Sequence, residues 1–297
     1  MTPHAWVLNL DAEDELSQRS RPTPSRSELA RMGAMVDRLR GTLVPQGDAV
    51  VWPSGEEVPR GAIGRAWCPT PWALARLRAA GATAPRAPSV DVLRAVNHRA
   101  WAASLGLFLP RAAWVRDADE LARCIEDPWP AMGWLLKRPL GYAGRGRLHL
   151  RARDELRDPR HAGWIANSFA GDGLLVEPCV DRVMDLGLHG WISPEGALAR
   201  GALTRQECDA RGAWVSTALC DENALPRSEM DFIEETFTET AMALWRAGYH
   251  GPFGVDAYVW RDARGEAHLQ PRSEVNARYS MGWAVGMGAL RPDLSST

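Results

Sequence analysis

Lysine is almost missing from this chain. Of 35 lysines and arginines, Lys137 is the one lysine and 34 are arginine. Neither sign of charge dominates: 37 acids leave a net charge of −2, and the arginines are scattered among them. That excludes the electrostatic footprint of a nucleic-acid or anionic-membrane binder. Cysteine is sparse. Cys68, Cys124, Cys179, Cys208 and Cys220 are odd in number and form no CxxC pair. This excludes a disulfide framework or thiolate zinc site and favours a reducing, cytoplasmic compartment. No apolar run approaches the ~18 residues of a membrane span. The segment Met1 to Trp6 has no basic n-region or apolar h-region, so no secretory signal is expected. The first apolar strand is not followed by G-x-G-x-x-G, so the dinucleotide fingerprint is absent. Internal repeats and low-complexity tracts are missing too. Tyrosine (4) and phenylalanine (5) are few beside 14 tryptophans, most of which are expected to pack core and surface.

What is present is enough for a large core. The chain has 297 residues, 45% apolar and 24% charged, which allows two or three sub-domains. Residues 5–10 read as a strand, 11–26 as a loop, 27–40 as a helix capped by Ser25 or Ser27, 49–52 as a strand and 70–80 as a helix. That alternation suggests a small α/β unit. A Pro/Ala linker at 82–88 precedes a helix capped by Ser89 and running to Leu105. Further strands are expected at 110–115, 173–178, 186–192, 197–204, 253–260 and 268–278, with helices at 118–124, 161–169 and 230–247. Residues 292–297 read as a free tail.

Lys137 closes the apolar run Trp134-Leu135-Leu136 and opens Arg138-Pro139-Leu140-Gly141-Tyr142-Ala143-Gly144-Arg145-Gly146-Arg147. Lysine is a flexible point charge suited to crowded phosphate oxygens, where arginine offers a planar fork. Glycines let backbone N–H groups approach an anion. The stretch reads as strand, phosphate-covering loop and a returning strand at Leu148-His149-Leu150; a basic hairpin with a solvated lysine accounts for it equally well.

Two late strands carry polar residues where a buried strand should be apolar. Asp256 interrupts Gly254-Val255-Asp256-Ala257-Tyr258-Val259, and Glu274, Asn276 and Arg278 stand at period two in the next strand, so they share one face. Two carboxylates and an amide oxygen are hard ligands suited to magnesium. Arg278 could clamp a phosphoryl group or a carboxylate. A solvated edge strand with Asp256 paired to an arginine is the alternative; the cost of burying acids favours the metal. Glu177, at a strand end before Pro178-Cys179-Val180, and Asp185 beyond it would suit an adenine and a ribose, or be ordinary surface acids.

In chain order, Asn97-His98-Arg99 opening a helix, Leu-Leu-Lys137-Arg-Pro with its glycine loop, Val-Glu177-Pro, Gly-Val-Asp256 and Glu274-Val-Asn276-Ala-Arg278 together resemble the ATP-grasp superfamily of carboxylate–amine ligases. The resemblance spans roughly residues 89–285, and the Glu-x-Asn-x-Arg strand after an Asp strand is its most specific part. It implies an α/β (α+β) fold in which two α+β sub-domains grip ATP, preceded by a small α/β domain. The implied limits are 1–88 for that first domain, 89–291 for the ATP-grasp domain with a lid at about 128–176, and a tail at 292–297. Lys137 would contact phosphate oxygens and the loop with Gly141, Tyr142, Ala143, Gly144 and Gly146 would close over them. Glu177 with the Cys179 and Val180 backbone would read adenine, and Asp185 would bind ribose. Asp256, Glu274 and Asn276 would hold one or two Mg²⁺, Mn²⁺ being the substitute ion, while Arg278 and Arg205 would face the γ-phosphate or the carboxylate. The family usually has another lysine at the start of the Asn97 helix; here His98 or Arg99 stands in its place. The eighteen positions from Asp256 to Glu274 make a long gap between the ligand strands.

The activity implied is activation of a carboxylate as an acylphosphate and its transfer to an amine. Its partners would be small-molecule carboxylate and amine substrates, without nucleic acid or membrane, and a homodimer is an allowed assembly. A small-molecule kinase is the alternative, with Arg145, Arg147, Arg151 and Arg153 as the local cluster for a polyanionic acceptor. A non-catalytic nucleotide-binding protein is the third reading. Trp214, Tyr279, Ser280 and Trp283 are candidate substrate contacts, which core packing explains as well.

Overall fold

The computed structural model describes residues 3–17, 24–106, 109–126, 128–141, 145–209, 214–221 and 223–295. Among them lie three sheets. The first is parallel, in the order β2-β1-β3, from β1 His4–Val7, β2 Ala49–Trp52 and β3 Ile63–Ala66. Three helices belong to it: α1 Ala12–Leu16, α2 Arg26–Leu39 and α3 Pro71–Ala79. Ser25 and Glu28 form a reciprocal capping box at the start of α2, and Thr70 caps α3 ahead of its N1 proline, which is why both helices begin where the sequence places them. α1 stands at the start of the loop expected at 11–26, whose residues 18–23 lie outside the described ones, and β3 was not expected.

The single helix expected from Ser89 to Leu105 is broken in two, α4 Val90–Asn97 and α5 Arg99–Ser104. His98 at the break is extended (φ −78°, ψ 128°), and its Nδ1 accepts from the Ala100 N–H at 3.1 Å. A side-chain cap at that point supplies a new helix start.

The second sheet is antiparallel, ordered β4-β7-β5-β6, from β4 Ala113–Val115, β5 Trp134–Lys137, β6 Arg147–Leu150 and β7 Leu174–Pro178. α6 Ala118–Cys124 and α7 Pro159–Phe169 cover it. It takes in β4 and α6, upstream of residue 128.

The third sheet has six antiparallel strands: β8 Asp181–Ile192, β9 Leu198–Arg200, β10 Thr204–Cys208, β11 Trp214–Leu219, β12 Gly251–Arg261 and β13 Ala267–Asn276. Their order is β11-β10-β8-β12-β13, with β9 also on β8. The long helix α8 Arg227–Arg246 buries Ile233, Phe237, Ala241 and Leu244 against it, the i, i+4, i+8 spacing of one helical face. β10 and β11 were not expected; they are short, and their exposed residues hide the alternation. α9 Trp283–Met287 and α10 Pro292–Ser295 complete the chain. α10 corrects the free tail at 292–297: Asp293 has no solvent exposure and accepts from Tyr279 Oη at 3.0 Å and from Arg291 at 2.9 Å. A buried carboxylate with two donors anchors the segment. Residues 296–297 lie outside the described ones.

The cores explain the layout. One cluster joins Trp6, Leu39 and Val50 of the first unit to Leu186, Phe237 and Val255 of the third sheet. The second sheet keeps a core of its own around Trp134, Leu136, Leu150 and Val176.

Candidate active site

A cleft of about 970 Å³ runs between the second and third sheets, with α1 and α2 along one rim. On one side, β5 alternates: Trp134 and Leu136 enter the small core, while Leu135 and Lys137 line the cleft. Lys137 ion-pairs with Glu177 of β7, both buried. Burial pulls the Lys137 ammonium down from its ordinary range, with the Glu177 charge working against that. Glu177 is therefore not an ordinary surface acid: its carboxylate is paired with the lysine. Arg147, opposite Lys137 on β6, extends Nη2 to 3.5 Å from Glu274 and has a buried Nε with no partner. A buried donor of this kind suits an anion's oxygen.

The other wall carries acids. Asp256 on β12 stands opposite Glu274 on β13 and opposite Gly187 on β8. Asn276 donates to Asp256 at 3.0 Å and Gln206 does so at 3.2 Å. Burial, and then the Glu274 charge, push Asp256 up to about 6. Glu274 goes the other way: burial opposes ionisation, but Arg99, Arg147, Lys137 and Arg278 outweigh it and bring the group to about 2. Two opposed carboxylates and an amide make a hard-oxygen set whose mutual repulsion a divalent cation would offset, so a cation of the magnesium type fits here.

Arg278 is bound through Nε and Nη2 to Glu13 of α1, at 2.7 and 2.6 Å, and through Nη1 to the Tyr279 carbonyl at 3.0 Å. Its fork is thus held in place by a helix absent from the expected elements. Of the two residues in the place of the second lysine, Arg99 lines the cleft, donating to the Arg138 carbonyl and to Glu274, each at 2.6 Å. His98 instead stands 3.4 Å from Asp172.

The rest of the expected set divides. Gly141, Cys179, Val180 and Asp185 line the cleft. A Cβ at Gly141 would lie 2.6 Å from the Arg145 carbonyl, so only glycine fits the turn. The Cys179 N–H is given to the Gly133 carbonyl at 2.8 Å. Asp185 is 3.4 Å from Arg182. Gly146 takes a left-handed φ of +72° at the end of the loop but does not line the cleft. Tyr142, Ala143 and Gly144 lie outside the described residues. Arg205 is a correction: on β10 Gln206 and Cys208 line the cleft, so period two turns Arg205 away, and it is exposed.

Two contributors were missed. Gln206 sits on an unexpected strand, and Arg182 stacks 3.9 Å over the Tyr258 ring with only its place near Asp185 as a sequence signal. Of the four candidate substrate contacts, Trp214 and Ser280 line the cleft, while Tyr279 and Trp283 are core residues.

The sequence matches no family model and no curated protein. Solved structures do match, over nearly the whole chain. Biotin carboxylase from Campylobacter jejuni aligns at a TM-score of 0.59 and 10% identity, covering 95% of this chain and 67% of that one. N5-carboxyaminoimidazole ribonucleotide synthetase from Thermus thermophilus aligns at 0.52 and 16%, covering 93% and 71%. N5-carboxyaminoimidazole synthetase from Staphylococcus aureus, complexed with ADP, aligns at 0.51 and 11%, covering 94% and 72%. The fold is ATP-grasp. At 10–16% identity the likeness speaks for architecture. Within the ATP-grasp fold, the cleft between the second and third sheets is where this chain gathers its cations and acids.

Proposed function

We propose that the chain is an ATP- and Mg²⁺-dependent ligase that converts a carboxylate to an acylphosphate, joins it to an amine, and releases ADP and phosphate. The observation that carries this is the facing of Asp256, Glu274 and Asn276 with Lys137, Arg99, Arg147 and Arg278 in one cleft. The architectural relatives support it: the structure from Staphylococcus aureus was determined with ADP. Asp256, Glu274 and Asn276 would hold one or two Mg²⁺, or Mn²⁺ in substitution, which supply charge neutralisation for phosphoryl transfer. Lys137 and Arg147 bind the phosphate oxygens from the β5–β6 side, and Arg99 reinforces them in place of the second lysine. Arg278, held by Glu13, orients the carboxylate or the phosphoryl group it receives. The glycine loop excludes the water that would hydrolyse an acylphosphate. Leu135, the Cys179–Val180 segment and Tyr258 make an apolar seat for the base, with Asp185 toward the ribose.

The working division is a first domain at 1–88 and a gripping domain at 89–291 with its lid at about 128–176. The five free cysteines fit a reducing compartment, and a homodimer is an assembly to test by sedimentation. Among the described residues no helix is long and apolar enough to cross a membrane. The decisive experiment is phosphate release from MgATP across amino acids and small carboxylates paired with amines, with mass spectrometry of products. Free phosphate and a new amide are expected. A phosphorylated product without free phosphate would make the protein a kinase, and nucleotide binding without turnover would make it a non-catalytic binder.

A further inference from the structure

Behind the acid wall lies a histidine that the proposed chemistry does not use. His189, on β8, has no solvent exposure. The chain clears space for its ring with glycine: a Cβ at Gly254, Gly282 or Gly286 would stand 2.9, 2.9 and 2.6 Å from imidazole atoms, too close for any side chain. The hydrogen bonds around the ring fix its tautomer. Thr204 donates its one hydroxyl proton to the Gly187 carbonyl at 2.8 Å. Its 3.3 Å contact with His189 Nε2 therefore runs from Nε2–H to the hydroxyl oxygen. A neutral imidazole protonated on Nε2 carries a lone pair on Nδ1. The atom facing Nδ1, at 3.2 Å, is Oγ of Ser280. Ser280 is the donor in that pair. Burial holds His189 down at about 4, so the ring stays neutral near pH 7 and the sense of the bond does not change.

Ser280 lines the cleft two positions beyond Arg278, beside Met281, Gly282 and Trp214. A free hydroxyl offers a ligand both a donor and an acceptor. With its proton committed to His189, Ser280 offers lone pairs only. A carboxylate or phosphate oxygen placed there would be repelled, and an N–H group would find an acceptor. We propose that Ser280 is the contact that selects the amine substrate, by accepting its N–H, and that His189 is the positioning residue holding the hydroxyl in the accepting sense. The amine rests on the ligase reading above; the polarity of Ser280 rests on the hydrogen bonds alone.

Two measurements test this. In ¹⁵N spectra of the histidine-labelled protein, the His189 signals, assigned by their loss in His189→Asn, should show Nε2 protonated and Nδ1 bare, with Nδ1 moving in Ser280→Ala. A protonated Nδ1 overturns the proposal whatever the activity. In turnover, with hydroxylamine as the amine and a carboxylate that supports phosphate release, Ser280→Ala should raise the KM for hydroxylamine about ten-fold, the loss of one hydrogen bond, without a matching rise in the KM for MgATP. His189→Leu should behave like Ser280→Ala. His189→Asn, whose carbonyl can occupy the Nδ1 position, should restore most of the difference. An unmoved hydroxylamine KM, or equal rises for both substrates, overturns the amine contact in a working enzyme. A wild-type protein that releases phosphate with no carboxylate overturns it through the ligase reading instead, so the two failures are distinct.

Discussion

The two walls of the cleft differ in what stands behind them. The wall with Lys137, Arg147 and Glu177 belongs to a four-stranded sheet with nine buried apolar residues of its own. The wall with Asp256, Glu274 and Asn276 belongs to a six-stranded sheet whose core is continuous with that of the N-terminal unit. A sheet with a separate core can shift as a body, because its motion uncovers little apolar surface elsewhere; a sheet fused into the main core cannot. Lys137 and Arg147 therefore sit on the sheet with the separate core, and Asp256 and Glu274 on the sheet fused into the main one. Across the gap the walls touch through Arg147 and Glu274 at 3.5 Å, with Arg99 on the same carboxylate at 2.6 Å. The glycine loop reaches α2 through Arg145 and Glu28 at 3.3 Å.

Breaking the acid wall should have the largest effect. Glu274→Ala removes one of the proposed metal-holding oxygens and leaves Arg99 and Arg147 without their shared carboxylate; ATP-dependent phosphate release is expected to fall at least ~10³-fold with the circular dichroism unchanged. Breaking the cation wall should cost stability as well as turnover. Lys137→Ala strands the buried Glu177, an effect of about 3–5 kcal/mol when one partner of a buried pair is lost, measured by urea denaturation. The double change Lys137→Met with Glu177→Leu should recover most of that stability and none of the turnover, which separates structural pairing from phosphate contact.

A smaller effect sharpens the picture behind the acid wall. His189 is held at about 4 by burial, against an ordinary 6.5. The unfolded chain then binds the extra proton more readily, so this group's stabilisation is complete above pH 6.5 and is lost as pH falls towards 4. The loss is at most about 3 kcal/mol, and the slope of melting temperature against pH in that window should flatten in His189→Asn. The smallest effect is expected at Arg205. It faces away from the cleft, so Arg205→Ala should leave kcat/KM within about two-fold; a loss of ten-fold or more would place the γ-phosphate on the far side of β10.

Both walls are partly legible in the sequence. Period-two reading put Glu274, Asn276 and Arg278 on one face, and the structure has Glu274, Asn276 and Arg278 lining one cleft. The lysine–glycine hairpin pairs Lys137 with Arg147 as strand, loop and strand. Other parts left no readable signal. α1 has five residues, too short for a helical period to declare itself, yet it brings Glu13 to Arg278. β10 and β11 are short and half exposed, so Gln206 could not be seen approaching Asp256. Glu177 shows a related limit: a strand-end acid looks solvated in sequence, and only the pairing of β5 with β7 shows it buried against Lys137.

Local patterning in the sequence determined most of the strands, the caps and the glycine positions of the turn, because alternation, capping and backbone freedom depend on residues close together in the chain. Tertiary structure alone decided which charges meet. Arg278 finds Glu13 265 positions away, Arg99 finds Glu274 175 positions away, and His189 orients Ser280 across 91. Such contacts are set by how the sheets stack and in what order, and a short-range pattern carries no record of that order.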